Sequence, residues 1–141
     1  MEFKRKMNMS AEQLFNTITR SVLYDIEEQT GKSVSTDQIE GFEYTKTFGK
    51  NSRATIQIDQ VEENKSYHYR TKTTKNDFLV KYDIEPLSEG SCRVTYTEEL
   101  ESYGHMQKLN DALVGTLLSY FRKKRLKLML ESMEKAKKSI N

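Results

Sequence analysis

Few side chains of this sequence have the chemistry of catalysis or metal binding. Its 141 residues include two histidines, His68 and His105, and one cysteine, Cys92. A histidine-based metal site needs clustered ligands, and these two stand well apart. One cysteine leaves no internal disulfide and no cysteine-based zinc site. A Cys–His nucleophilic pair would have to be assembled by the fold, and no spacing points to one. Thr30-Gly31-Lys32-Ser33 carries the closing letters of a phosphate-binding loop, but Ile26 stands where its first glycine belongs. No metal and no cofactor is expected.

The tyrosines are the richer signal. Tyr44, Tyr67, Tyr69, Phe78, Tyr82 and Tyr96 all fall on the apolar parity of segments that alternate with a period of two. A buried phenol hydroxyl needs a hydrogen-bond partner. Five of them facing one interior leave two readings open. Either they line a cavity and orient the polar end of an apolar ligand, or the rings fill the space and their hydroxyls reach its rim. Lys46 and Glu98 share that inward parity. A lone buried charge is costly, so each needs a partner or an exit to water. Each is read either as a polar fixture of a pocket or as a residue at a strand end or shifted by a bulge. Glu98 is the best inward acid for an enzymatic reaction. That reading ranks below binding, because an acid, base and nucleophile set is missing. His68, between Tyr67 and Tyr69, takes the opposite parity and faces out.

The elements that would position these groups follow from periodicity. Residues 2–9 read as a strand, with Phe3, Arg5, Met7 and Met9 on one face. Ser10-Ala11-Glu12-Gln13 reads as a capping box. A helix over 11–29 follows, with Leu14, Phe15, Ile18, Val22 and Ile26 as its stripe and Gly31 as its stop. Residues 30–41 are too few and too polar to read as a second helix. Five strands then span 41–103, with turns at Gly49–Ser52, Glu63–Lys65, Lys75-Asn76 and Pro86–Gly90. Clean alternation means one covered face and one wet face. Helical spacing returns over 107–139, through Leu109, Leu113, Leu117 and Phe121 and on through Leu126, Leu130 and Met133. This long helix is the element able to cover the sheet. No linker or repeat divides the chain, so one domain over 1–141 is expected.

Charge and composition bound the partners. Hydrophobic residues make up 35% and charged residues 31%, with a formal charge of +2. Residues 107–141 carry nine Lys or Arg against three acids, while the other 106 residues carry 14 basic against 18 acidic side chains. The run Arg122-Lys123-Lys124-Arg125 is the densest charge. It reads as a solvated face, since aromatics for base stacking are not evident beside it, which disfavours nucleic acid. No window holds the roughly 20 apolar residues of a membrane span. The start, Met1-Glu2-Phe3-Lys4-Arg5-Lys6, lacks the apolar segment of a signal peptide, so a cytoplasmic location is expected.

The order strand, helix, five-strand meander and long helix resembles the START-like, or Bet v 1-like, helix-grip superfamily. Gly104-His105-Met106-Gln107 leading into Leu109 and on to Phe121 adds to the likeness. It covers essentially the whole chain. More narrowly, the sequence resembles a domain of unknown function found in Gram-positive bacteria. The resemblance implies an α+β fold in which a curved antiparallel sheet of about six strands wraps a long C-terminal helix. It also implies a cavity between the two, where superfamily members bind lipids, sterols, polyketides or hormones. The expected lining is Tyr44, Tyr67, Tyr69, Phe78, Tyr82, Tyr96 and Glu98 from the sheet, with Leu113, Leu117 and Phe121 from the helix. Binding of a small hydrophobic or amphipathic molecule is the leading expectation. A protein-interaction module or a self-associating regulatory module, a homodimer being one version, that uses the basic C-terminal helix without a ligand is the alternative.

Overall fold

The computed structural model describes residues 2–48, 52–74, 76–102 and 124–136. Strand β1 (Glu2–Met7) turns its odd-numbered residues inward, and Met7 is fully buried. Helix α1 (Ala11–Thr30) opens on the expected capping box. Ser10 Oγ accepts from the Gln13 amide at 3.0 Å, and Gln13 Oε1 accepts from the Ser10 amide at 2.9 Å. The pair satisfies two of the amide groups that every helix start leaves open. Gly31 closes the helix at a φ of 74°, a left-handed conformation that glycine adopts without a Cβ clash.

The link between Gly31 and Gly41 holds a single 3-10 turn, Thr36–Gln38. Its polar composition hides one anchor: Ile39 is completely buried in the core. Five strands follow, β2 (Glu43–Phe48), β3 (Ser52–Glu62), β4 (Ser66–Lys72), β5 (Asn76–Ser88) and β6 (Ser91–Ser102). With β1 they form one antiparallel sheet of order β1-β6-β5-β4-β3-β2. Strand β1 therefore pairs with the last strand, and β1 and β2 are the two edges.

Two irregularities curve this sheet. The register of β3 against β4 shifts between Ile58 and Gln60, leaving Asp59 outside the ladder. A bulge of this kind bends a strand and increases its twist. The second lies at Leu87, left outside the ladder between the Pro86–Cys92 and Ser88–Ser91 pairs, just past Pro86, where the sequence suggests a chain reversal. The structure corrects that expectation, because β5 runs through Pro86 to Ser88 and only Glu89 and Gly90 make the turn. Pairing with β4 ends at Asp83, so β5 has one open edge at Pro86, where a missing N–H is tolerated.

Helix α2 (residues 124–136) buries Leu126 and Leu130 in the same core cluster as Leu14, Phe15, Val94 and Tyr96. The expected helix over 107–139 is thus seen at 124–136. Its positions Leu113, Leu117 and Phe121 lie outside the described residues, as do His105, Arg122 and Lys123. Each edge strand is tied to a helix. On β1, the Arg5 guanidinium lies 3.5 Å from Glu131 and 3.4 Å from Glu134 of α2. On β2, Lys46 Nζ sits 3.1 Å from Asp25 of α1, and the Thr47 amide donates to Gln29 Oε1 at 3.1 Å. No helix among the described residues is long and apolar enough to cross a membrane.

The depth of α2 in the core is testable. Leu130 is fully buried and Leu128, two residues earlier, is 58% exposed. Leu130→Ala should cost about 2–5 kcal/mol in urea unfolding, and Leu128→Ala less than about 0.5 kcal/mol. Equal effects would show that α2 does not pack on the sheet.

Candidate functional site

The concave face is organised in rows set by strand register. Phe3, Tyr96, Tyr82 and Tyr67 are successive partners across β1, β6, β5 and β4. The next inward row is Glu98, Val80, Tyr69 and Ile58, across β6, β5, β4 and β3. A further row holds Phe78, Thr71, Ile56 and Tyr44. The rings form a connected cluster. Tyr82 meets Tyr96 edge-on at 5.1 Å, and Tyr67 lies 5.5 Å from Tyr69 and 6.3 Å from Tyr82.

Between this face and the two helices lies a cavity of about 820 Å³. All seven sheet residues named from the sequence line it: Tyr44, Tyr67, Tyr69, Phe78, Tyr82, Tyr96 and Glu98. Ile18, Val22 and Asp25 close it from α1, and Arg125, Leu126, Met129 and Met133 from α2. Both inward charges are pocket fixtures rather than register artefacts. Lys46 pairs in unbroken register with Ala54, Glu98 does so with Val80, and both line the cavity.

The polar groups of the lining serve the phenols. Tyr44 Oη donates to Asp25 Oδ2 at 2.6 Å, and the same carboxylate holds Lys46 through Oδ1. Tyr96 Oη donates to Glu98 Oε2 at 3.0 Å. Burial raises every one of these phenol pKa values, and neighbouring carboxylates raise them further. Tyr69 is pushed up to about 12, first by burial and then by the charges of Glu98 and Asp25. Tyr44, Tyr67, Tyr82 and Tyr96 lie higher still, burial again being the largest cause. The ring cluster is therefore an array of neutral hydroxyls at physiological pH.

Asp25 is the site residue that sequence reasoning passed over. It lies seven residues after Ile18 and three after Val22, on the apolar stripe of α1. A carboxylate on that stripe is the same kind of signal as Lys46 and Glu98 on their strands. Cys92 is fully buried, and its thiol is raised to about 11 by burial and then by the charge of Glu134, which makes it a poor nucleophile. His68 faces the outer side and pairs with Asp83 at 2.8 Å. Among the described residues no group of three or more His, Cys, Asp or Glu is placed to hold a metal ion.

The hydroxyl array gives a titration that can be read directly. For each of the five phenols the folded pKa is raised, so folding holds a proton that the unfolded chain releases above about pH 10. Stability should be flat with respect to these groups below pH 10 and fall above it. Absorbance titration at pH 11 should leave these five of the eight tyrosines un-ionised until the chain unfolds. Ionisation of all eight in the folded protein at that pH would contradict the buried cluster.

Comparison with known proteins agrees with this architecture. Mll3558 from Rhizobium loti superposes with a TM-score of 0.58 at 16% identity, covering 93% of this chain and 94% of that one. Norcoclaurine synthase from Thalictrum flavum, solved in complex with dopamine and hydroxybenzaldehyde, gives 0.58 at 13% identity, over 93% and 86%. A START superfamily protein from Mycobacterium smegmatis gives 0.53 at 12% identity, over 92% and 97%. At these identities the likeness establishes the START/Bet v 1-like helix-grip fold. No curated protein matches the chain in sequence. Residues 1–119 match the model of a family described as Domain of unknown function (DUF3284), and the chain belongs to that family.

Proposed function

We propose that this domain binds a small amphipathic molecule in the cavity between the concave sheet and the helices α1 and α2. The observation that carries this reading is the cavity itself. Its volume of about 820 Å³ falls within the 300–1,000 Å³ typical of small-molecule sites. Its walls have the composition of such sites, mostly aromatic and aliphatic with a few placed polar groups. Tyr67, Tyr82, Val80 and Ile56 offer an apolar bed, while the Asp25–Lys46 pair and Glu98 offer polar contacts. Norcoclaurine synthase, of the same fold, was solved with small aromatic compounds bound, which supports small-molecule recognition as a use of this architecture.

Binding suits the residues better than catalysis does. The phenols are held neutral, the thiol is buried and raised, and His68 is on the outer face. General acid–base work asks for groups poised near neutral pH within reach of one another.

Filling the cavity tests the proposal. Val80 is central in the lining, 5% exposed and flanked in register by Glu98 and Tyr69. Val80→Phe should remove at least tenfold of the affinity for 4-phenylbutanol in calorimetric titration. Far-ultraviolet circular dichroism should be unchanged, showing that the variant is folded. Unchanged affinity in a folded variant would place binding elsewhere, and absence of binding to the unsubstituted protein would reject the reading.

A further inference from the structure

We propose that the bound molecule presents a carbonyl-type oxygen to the cavity, held by the phenol hydroxyls of Tyr67, Tyr69 and Tyr82 acting as hydrogen-bond donors. This rests on the cavity being a binding site and adds the polar chemistry of its ligand.

The five lining phenols fall into two groups. Tyr44 and Tyr96 donate to Asp25 and Glu98, so their protons are committed within the protein. Tyr67, Tyr69 and Tyr82 make no hydrogen bond through their hydroxyls among the described residues, where their contacts are ring to ring. Nor are these hydroxyls sealed away. The buried side-chain polar atoms without a partner, among the described residues, are Arg5 Nε, Asn64 Oδ1 and Asp77 Oδ1, and no phenol oxygen is one of them. A phenol oxygen that is neither bonded nor sealed opens onto space. Tyr67 is 3% exposed and Tyr82 8%, so the little surface each keeps includes its hydroxyl. All three residues line the cavity.

The three hydroxyls also lie close together. After burial, the next influence on the pKa of both Tyr67 and Tyr82 is the charge of Tyr69, and such an influence falls off with distance. Burial keeps each phenol neutral at physiological pH, so each keeps its proton. Delocalisation of the oxygen lone pair into the ring makes a phenol a stronger donor than acceptor. The complement of converging O–H donors is an acceptor oxygen, and a carbonyl, with two lone pairs, can take two of them at once. A purely apolar ligand would strip water from these donors and return nothing, which selects against it. The surrounding rings give the body of the ligand its apolar bed.

Three bicyclic probes of one shape make the test, titrated calorimetrically at pH 7 into the full chain: 1-indanone, which only accepts, indole, which only donates, and indane, which does neither. 1-Indanone should bind roughly fivefold or more tighter than either of the others, the scale of a hydrogen bond gained. The combined variant Tyr67→Phe, Tyr69→Phe and Tyr82→Phe should bring 1-indanone to within about twofold of indane, because it removes the donors and little else. Since it breaks no internal hydrogen bond, this variant should keep or raise the urea midpoint, whereas Tyr96→Phe should lower it. Isotope-edited infrared spectroscopy gives a readout on the unsubstituted protein. The carbonyl stretch of bound 1-indanone should lie below its frequency in hexane and return toward that frequency in the triple variant. No preference for 1-indanone, a stretch at the hexane value, or a preference that survives the triple substitution would overturn the assignment, while binding of 4-phenylbutanol would leave the cavity as a binding site. A triple variant that unfolds or loses stability would show that the hydroxyls have partners inside the protein, and would overturn it as well. Should neither these probes nor 4-phenylbutanol bind, the binding reading falls and this inference with it.

Discussion

Burying a phenol without leaving its hydroxyl unpartnered is the constraint on which the rest of this structure depends. Strand register brings Phe3, Tyr96, Tyr82 and Tyr67 into one row across four strands, with Tyr69 and Tyr44 in adjoining rows. Aromatic rings supply much of the apolar area that drives the sheet to be covered. Their hydroxyls cannot enter a dry core unpaired, since an unsatisfied buried polar group costs about 1–3 kcal/mol. Carboxylates partner two of the five: Asp25 accepts from Tyr44, and Glu98 accepts from Tyr96. Both carboxylates line the cavity on the concave face.

The helices are fixed where the sheet ends. Asp25 of α1 meets the edge strand β2, and Glu131 and Glu134 of α2 meet Arg5 on the opposite edge, β1. These pairs are half-buried, Arg5 at 20% and Glu134 at 14% side-chain exposure. Their value here is positional, since they hold the helices against the rims while Leu126 and Leu130 supply the apolar anchor. A sheet bent by bulges at Asp59 and Leu87, tied at its rims and lined with rings, encloses space rather than excluding it.

Much of this was legible in the sequence because it rests on period and parity. The two-residue alternation of Phe78, Val80, Tyr82 and Ile84 places a strand and its inward face at once, and Ser10 with Gln13 marks the start of α1. The ring lining follows from the same parity. Less legible were features that depend on partners distant in the chain. Pro86 reads as a turn until β4 is seen to stop short of it, and Ile39 reads as a loop residue until the core is seen beneath it. Lys46 could not be told from a strand-end lysine without Asp25, 21 residues earlier on α1 and 3.1 Å away in the fold. Charges on an apolar parity were the informative exceptions, and the one passed over, Asp25, obeys the same rule.

The account stands or falls on whether the space against the tyrosine rows is open to a small molecule. Isotope-filtered NMR of the protein with 4-phenylbutanol reads that contact directly. Intermolecular Overhauser effects should run from the ligand to the ring protons of Tyr67, Tyr82 and Tyr96 and to the methyl groups of Val80 and Met129. Effects confined to exposed side chains such as Leu87 and Leu128, with the tyrosine rings in contact only with α1 and α2, would contradict it.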